Sequence, residues 1–233
     1  MNARCASRRR GTIIFDMDGV LVDVSESYRE AIRETVHLYT GDWIGKELVQ
    51  EYKNQGGWNN DWALSQRIIL DRSGKDIPYD EVVRTFQTVF FGTPLREGLI
   101  MRERWIPRNG LLDSLKKNYR LCIFTGRLRE EAAITLKRFV PGLEWDMIVA
   151  DDDVSDRKPA PEGLVRIKST FEDEQYWYVG DTVDDALSAA GALVPFIGIA
   201  HRESPWYSEL SALLKAKGAV AVFDNVNELE TIL

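Results

Sequence analysis

Cysteine is scarce in this chain: the 233 residues contain two, Cys5 and Cys122, and they lie far apart. Cys122 belongs to the apolar run Leu-Cys-Ile-Phe, so we interpret it as a buried thiol. Such sparse cysteine usage is typical of proteins that remain in a reducing compartment. We therefore expect no disulfide framework.

The sequence also lacks long apolar runs and an excess of positive charge. No stretch approaches the roughly eighteen consecutive apolar residues of a membrane span. The formal net charge of −7 offers no basic surface for nucleic acid or an anionic membrane. The arginines at 8–10 precede a segment that soon turns acidic, which argues against a twin-arginine export signal. We expect a frayed basic tail, no nucleic-acid or membrane partner, and a cytoplasmic protein.

Short apolar runs alternate with helical patterns over much of the chain. The helical patterns include residues 108–117, 129–139, 161–170 and 186–190, and the C-terminal residues indicate a closing strand and helix. Nearly continuous apolar strands separated by helices are typical of a parallel sheet covered on both faces. The pattern predicts an α/β protein with a Rossmann-like parallel sheet and helices on both faces. Its predicted strands are Thr12–Asp16, Leu121–Thr125, Met147–Ala150, Tyr176–Gly180, Pro195–Ala200 and Val220–Phe223.

Residues 23–103 interrupt this alternation. They contain no convincing strand and indicate four helices, over 26–39, 44–54, 60–72 and 79–90, with breaks at glycines. Either these helices extend the core, or they form a separate all-α domain inserted after the first strand. We favour the insertion, because the α/β alternation stops and then resumes. The predicted domains are an α/β core of residues 1–22 and 104–233 and a helical insert of residues 23–103.

Four predicted strands end in residues that can bind ligands or take part in catalysis: Asp16, Thr125-Gly126, the acidic cluster at 151–153, and Gly180-Asp181. Ligands of parallel sheets bind at the carboxyl ends of the strands. Asp16 and Asp18 lie on one side of an alternating strand, where two like charges repel unless a cation lies near them. The sequence therefore predicts a site for a cation at this edge of the sheet.

Together these segments resemble the four motifs of the haloacid dehalogenase (HAD) superfamily. The resemblance covers residues 12–191, with the motifs in the right order and at strand ends. It implies a subfamily I hydrolase similar to phosphoglycolate phosphatases and β-phosphoglucomutases, with the insert acting as a helical C1 cap. The matching segments are Asp16-Met-Asp-Gly-Val-Leu-Val-Asp23, Phe124-Thr-Gly-Arg127, Arg157-Lys-Pro-Ala-Pro161 and Gly180-Asp-Thr-Val-Asp-Asp185.

The chemistry of these residues is that of phosphoryl transfer. Asp16 is placed to attack a phosphoryl group and form an aspartyl-phosphate. Mg²⁺ would offset the repulsion between the two anions, with Asp16 and Asp181 as carboxylate ligands. The resemblance implies that Asp18 adds its backbone carbonyl and that Asp185 supports the metal, although the neighbouring Asp184 leaves open which acid faces inward.

Other motif residues receive distinct roles. The Asp18 side chain would protonate the leaving alkoxide and then activate water. Thr125 and the Gly126 amide would bind phosphoryl oxygens, while Lys158 would neutralise charge on the nucleophile and the phosphate. Asp23 has no predicted role in the chemistry.

The insert is expected to select the substrate. Residues 55–62 hold two glycines and two indoles, so we predict a specificity loop in which Trp58 and Asn59 contact substrate. The competing interpretation is a turn followed by an N-capped helix, with Trp62 in the core. Arg127 is predicted either to reach a second polar group of the substrate or to form a salt bridge, and His201 to approach the rim of the site or to lie away from it.

These observations predict a Mg²⁺-dependent phosphatase that acts on a small phosphorylated metabolite, as a monomer or homodimer. A phosphomutase of the β-phosphoglucomutase kind is the alternative enzyme. Asp18 argues against a dehalogenase, which has no leaving alkoxide to protonate. A phosphonatase would need a Schiff-base lysine in the insert. A non-catalytic phosphate-binding module would be expected to lack Asp16 or Asp18, and both are present.

Overall fold

The computed structural model describes residues 9–171, 173 and 175–232. Cys5 and Arg8 lie outside the described residues, as does most of the predicted basic tail. Arg9 and Arg10 belong to the folded chain, because the Arg9 guanidinium pairs with Asp146 and the Arg10 backbone N–H donates to the Asn118 carbonyl. The expected fraying is wrong for these two arginines.

Strands and helices alternate on both sides of a helical segment. Among the residues described, three short 3₁₀ segments lie at Leu99–Arg102, Asp151–Asp153 and Val226–Thr231. In chain order the other elements are β1 (Gly11–Phe15), β2 (Val22–Asp23), α1 (Tyr28–Thr40), α2 (Lys46–Gln55), α3 (Asp61–Ser73), α4 (Tyr79–Phe91), β3 (Gly92–Thr93), β4 (Arg96–Glu97), β5 (Arg104–Trp105), α5 (Leu111–Lys116), β6 (Tyr119–Phe124), α6 (Arg129–Phe139), β7 (Met147–Val149), α7 (Glu162–Thr170), β8 (Tyr176–Gly180), α8 (Val183–Ala192), β9 (Phe196–Ile199), α9 (Tyr207–Ala216) and β10 (Ala219–Phe223).

Within the described residues, six strands form one parallel sheet in the order β10-β9-β8-β1-β6-β7. Ile13 of β1 pairs with Leu121 on one side and Trp177 on the other. The chain runs outward through β6 and β7 and then returns to β8 beside β1, which creates a crevice at the carboxyl end of β1. The predicted Rossmann-like α/β fold is confirmed.

The helices α1–α4 lie between β2 and β5, close to their predicted bounds. Gly41 and Gly74 end α1 and α3 in the left-handed conformation, with φ of 81° and 69°. The Asn60 side chain caps α3 by accepting from the backbone N–H groups of Trp62 and Ala63. Glycine and asparagine therefore divide this segment into separate helices.

Short antiparallel strands mark the two crossings between the helices and the sheet. Val22 pairs with Trp105 and Asp23 with Arg104, so β2 and β5 bring the ends of the insert together. The predicted division at 22/23 and 103/104 falls at this pair and stays a prediction. The expectation of no strand within the insert is wrong, because β3 and β4 form a small hairpin. Two-residue strands are too short to show a twofold apolar pattern.

Two apolar clusters lie among the described residues, and one joins the sheet to the insert. The joined cluster includes Phe15 from β1 together with Ile32, Leu64 and Phe86 from the inserted helices. The predicted C-terminal helix is instead the 3₁₀ segment Val226–Thr231, which is too short for a stable α-helix. No helix in the described part of the chain has the length and apolarity to cross a membrane.

Candidate active site

Carboxylates from separate elements meet at the carboxyl edge of the sheet. Asp16 follows β1, Asp181 follows β8, and Asp185 lies in the first turn of α8. One carboxylate oxygen from each lies within 4.8 Å of the others. The fold thus concentrates negative charge where the sequence predicts a cation.

Lys158 reaches this acidic cluster from the loop before α7. Its Nζ lies 2.8 Å from Asp16 Oδ1 and 2.7 Å from Asp185 Oδ1, and its side chain is 1% exposed. Burial opposes the charge on Lys158, but attraction by the two carboxylates raises its pKa overall. Lys158 therefore remains a cation between the two acids.

Burial has a strong effect on Asp16. It raises the pKa of Asp16 from an ordinary 3.8 to about 7, against the opposing attraction of Lys158. Repulsion from Asp185 and Asp18 adds to the increase. Lys158 thus opposes the protonation that burial favours in the predicted nucleophile, and a second cation would favour the ionised form of Asp16 further.

Asp181 carries an unpaired buried oxygen. Its Oδ1 is buried without a hydrogen-bond partner, and burial together with Asp185 and Asp16 raises its pKa well above the ordinary value. Gly19 makes the close approach of Asp181 possible, because a Cβ there would lie 2.0 Å from Asp181 Oδ2. Gly19 also has a φ of 72°, which favours glycine.

Asp185 is the acid of the neighbouring pair that faces the cluster. Its Oδ1 accepts from the Tyr178 hydroxyl at 2.6 Å, and its Oδ2 accepts from the Thr182 hydroxyl at 2.7 Å. These bonds and the Lys158 charge lower the pKa of Asp185 despite its burial. Asp184 instead accepts from the Gly57 backbone N–H at 2.7 Å. The structure therefore separates the two acids that sequence alone left equivalent.

The acidic cluster fits a divalent cation. Carboxylate oxygens are the ligands that hard cations prefer, and the orphaned Oδ1 of Asp181 lacks any protein donor. Asp185 already accepts from several protein groups, so it suits a supporting role better than direct coordination. Asp16 and Asp181 are the carboxylates best placed to bind the cation directly.

The Asp18 side chain turns toward Arg127 instead of the acidic cluster. Arg127 Nε donates to Asp18 Oδ1 at 2.7 Å, and its Nη2 lies 2.8 Å from Glu103 Oε1. The Arg127 side chain is 1% exposed, whereas that of Asp18 is 32% exposed. Arg127 therefore forms the salt bridge of the sequence prediction, and because it also lines the cavity, its predicted contact with substrate stays a prediction.

Thr125 and Gly126 line the same edge at the end of β6. Thr125 is buried, and its hydroxyl oxygen accepts from the Arg127 backbone N–H at 3.2 Å, which leaves the hydroxyl proton free to donate. A Cβ on Gly126 would lie 2.2 Å from Asn59 Nδ2, so glycine lets the insert approach the core here. Their predicted contacts with a phosphoryl group remain predictions.

The predicted specificity loop packs onto the core. Asn59 and Trp62 line the cavity beside Asp16 and Asp18. Trp58 contacts the Tyr52 ring edge-on at 5.6 Å and packs against the apolar cluster. Of the two residues predicted to contact substrate, Asn59 thus faces the cavity, whereas Trp58 has a packing role. Trp62, which the competing interpretation treated as core, also reaches the cavity.

Sequence reasoning gave no individual role to several polar residues of this cavity. Arg29 from α1 and Lys53 from α2 line it, as does Asp61 at the start of α3. Lys53 Nζ lies 2.5 Å from Asp61, whose pKa is raised by burial against the attraction of Lys53. These residues belong to three helices with no shared motif, so only the helix packing brings them together.

Two further predictions concern the rim. His201 Nε2 lies 2.9 Å from the backbone oxygen of Gly19, so this histidine does approach the site. Asp151 belongs to the acidic cluster at 151–153, and it lines the cavity while pairing with Arg157 at 3.0 Å. Among the described residues, Asp151 is not one of the acids that lie close enough together to bind one metal ion.

The comparison with family models identifies one family. The family described as haloacid dehalogenase-like hydrolase matches residues 11–192. A phosphoglycolate phosphatase from Salmonella typhi is 26% identical, over 93% of this chain and 90% of that protein. An imidazoleglycerol-phosphate dehydratase from Phytophthora nicotianae is 32% identical over 78% of this chain, which spans only 42% of that protein's length. The solved phosphatase Tt82 from Thermococcus thioreducens has a TM-score of 0.64 at 27% identity, covering 87% of this chain and 98% of its own.

Proposed function

Because the chain belongs to the haloacid dehalogenase-like hydrolase family, we propose that it is a phosphatase acting on the phosphate monoester of a small metabolite. The observation that carries the proposal is the contact of Lys158 Nζ with Asp16 Oδ1 at 2.8 Å. Asp181, with its unpaired oxygen, lies beside this pair. Phosphoryl transfer requires a nucleophilic carboxylate, a fixed cation and an oxygen acceptor for a second cation, here the Asp181 Oδ1 without a hydrogen-bond partner.

The proposed reaction has two steps, the formation and the hydrolysis of an aspartyl-phosphate. A carboxylate oxygen of Asp16 forms a bond to phosphorus while the bond from phosphorus to the leaving-group oxygen breaks. Asp18 gives its proton to the leaving-group oxygen. In the second step Asp18 takes a proton from water, whose oxygen attacks the phosphorus. The bond to Asp16 then breaks, which frees phosphate and regenerates the carboxylate. Lys158 balances the charge near Asp16 throughout.

Asp16, Asp181 and the Asp18 carbonyl would hold Mg²⁺, with Asp185 in support. When bound, Mg²⁺ would neutralise part of the charge shared by the carboxylate and the phosphoryl oxygens. Thr125 and the Gly126 amide would orient those oxygens. In this proposal residues 23–103 form the cap that covers the site, with the crossings at β2 and β5 as its hinges.

Adding Mg²⁺ should stabilise the protein, and more so at higher pH. At a Mg²⁺ concentration of about 100 times its Kd, we expect about 2.7 kcal/mol of stabilisation. This raises Tm by about 5–10 °C for a domain of this size. Asp16 has a raised pKa of about 7, and that of Asp181 is also raised, so protons compete with the metal below neutrality.

Thermal unfolding with Mg²⁺ or EDTA at about pH 8 and about pH 5.5 measures this effect. The Tm increase should be smaller at the lower pH. The variant Asp181→Asn serves as the matched control and should lose most of the increase. An equal increase in wild type and in this variant would contradict the assignment of the metal ligands.

A small acid phosphate is the leading substrate candidate, and phosphoglycolate is its simplest example. Arg29 and Lys53 provide cationic groups on the insert side of the cavity, which a substrate carboxylate requires. Phosphoglycolate is the compound in the name of the Salmonella typhi relative. Imidazoleglycerol phosphate, from the name of the Phytophthora nicotianae relative, belongs in the same panel because Asp61 could pair with an imidazolium.

Phosphate release from 4-nitrophenyl phosphate and from this metabolite panel tests the proposal, with Mg²⁺ or with EDTA. We expect release with Mg²⁺ and loss of release with EDTA. Trp62→Ala should change the ranking of the panel, because Trp62 lines the cavity. Trp58→Ala, its matched control, should change the ranking less. Release that is equally fast with EDTA would overturn the metal dependence.

Product analysis separates the alternatives. A phosphomutase would transfer the phosphoryl group to a second hydroxyl of a sugar phosphate and release little inorganic phosphate. A non-catalytic phosphate-binding module would bind phosphate esters with no product above that of Asp16→Asn. Either result would replace the phosphatase proposal.

A further inference from the structure

Arg127 lies at the centre of a buried network that has no role in the two proposed reaction steps. Its Nη1 donates to the Thr135 hydroxyl at 2.7 Å, and that hydroxyl donates to Glu103 Oε2 at 2.8 Å. Its guanidinium carbon lies 4.9 Å from the centre of the Tyr28 ring, and the Tyr28 hydroxyl donates to Glu131 at 2.8 Å. Residues from the insert, the crossing and α6 therefore hold one guanidinium.

The contact with Asp18 is made through one oxygen. Both Arg127 Nε, at 2.7 Å, and Arg127 Nη2, at 2.6 Å, approach Asp18 Oδ1. A fixed planar guanidinium restrains the rotation of the carboxylate it binds. With Oδ1 held, Oδ2 is the oxygen of Asp18 that remains to carry a proton. The Asp18 side chain stays about one-third exposed and lines the cavity.

This network costs the fold free energy unless its members remain paired. Arg127 and Glu103 are almost fully buried, and buried charges are expensive to remove from water. Apolar side chains of similar volume would fill the same space at no greater cost. The use of charge here points to a role of Arg127 beyond packing.

We propose that Arg127 is a positioning residue that holds Asp18 Oδ1 so that Oδ2 faces the oxygen of the leaving group. Glu103 and Thr135 in turn hold the guanidinium in place. Glu103 directly precedes β5, so the crossing between insert and core is tied to the orientation of Asp18. The inference rests on the proposed phosphatase function, in which Asp18 transfers the proton.

The dependence on leaving group tests this role. The 4-nitrophenolate ion leaves readily without a proton, whereas phenolate, with a conjugate-acid pKa of about 10 like that of tyrosine, needs one. In Arg127→Lys we expect kcat/KM for phenyl phosphate to fall about 100-fold, within the range of general acid catalysis. For 4-nitrophenyl phosphate, kcat/KM should fall only about tenfold. The ratio kcat/KM is used because it excludes the later hydrolysis of the aspartyl-phosphate.

Three variants complete the experiment. Asp18→Asn should show the same preference for the better leaving group, and combining it with Arg127→Lys should add little, because both act on one proton transfer. Arg129→Lys replaces an exposed arginine that pairs with Asp153, and it should leave kcat/KM unchanged for both substrates. Glu103→Gln should reproduce the Arg127→Lys pattern more weakly, and it provides a second route if Arg127→Lys does not fold.

The outcomes separate the inference from the function on which it rests. A wild type that releases no phosphate with Mg²⁺ overturns the proposed function. An active wild type with equal losses for both substrates in Arg127→Lys and Glu103→Gln overturns only the positioning role. Faster turnover in these variants would also overturn it, because the contact would then restrain Asp18 in an unproductive orientation.

Discussion

Replacing Asp16 with asparagine should lower Mg²⁺-dependent phosphate release by at least about 10⁴-fold, since a missing nucleophile removes the covalent route. Asparagine keeps the shape of the side chain but cannot form the aspartyl-phosphate. The fold should survive, because burial already raises the pKa of Asp16 to about 7 and so favours its neutral form. Initial rates with 4-nitrophenyl phosphate, together with thermal unfolding, measure both expectations.

Asp23 provides the matched control for this substitution. It belongs to the same acidic segment, but its carboxylate accepts from the Ser25 backbone N–H and lies at the crossing into the insert. Asp23→Asn should keep the wild-type rate. An Asp16→Asn protein that is as active as Asp23→Asn would show that phosphate release does not depend on a covalent intermediate at Asp16.

Removing the Lys158 charge should have the largest effect on stability. Lys158→Met leaves Asp16 and Asp185 buried without their cation, and breaking a buried ion pair in this way costs about 3–5 kcal/mol. The variant should also lose most activity, because no fixed charge then balances the phosphoryl group and the nucleophile. Denaturant unfolding with EDTA present measures the stability change without interference from bound metal.

The stability loss should depend on pH. Without Lys158, no lysine charge opposes the effect of burial, so the pKa of Asp16 rises above its present value of about 7. A carboxyl group whose folded pKa exceeds its unfolded value takes up a proton on folding, so stability falls as pH rises toward the folded pKa. The loss in Lys158→Met should therefore be larger at about pH 8 than at about pH 5.5.

Lys168→Met is the control for the loss of a lysine. Lys168 Nζ donates to the Ala192 carbonyl at 2.8 Å and has no contact with the acidic cluster among the bonds described for it. We expect this substitution to cost about 1 kcal/mol, the value of one ordinary hydrogen bond, with little dependence on pH. An equal, pH-independent loss in Lys158→Met would contradict the role of Lys158 as the cation of the acidic pair.

The sequence alone determined the architecture and the placement of the main acids. Continuous apolar runs such as Ile13–Phe15 identify strands buried on both faces, and a residue that follows such a run lies at the carboxyl edge of the sheet. Glycines 41 and 74 mark the ends of two inserted helices because their left-handed conformation excludes most other residues. These features are local, so neighbouring residues along the chain are sufficient to reveal them.

The partners of the charged groups were decided by the tertiary structure. Lys158 and Asp16 are separated by 142 residues, and Arg127 and Asp18 by 109. Adjacent acids such as Asp184 and Asp185 have similar sequence signals, yet the direction of each side chain from α8 sends one to the insert and the other to Lys158. The energy of a buried charge depends on which groups surround it in space, and that information arises only when the strands and helices pack.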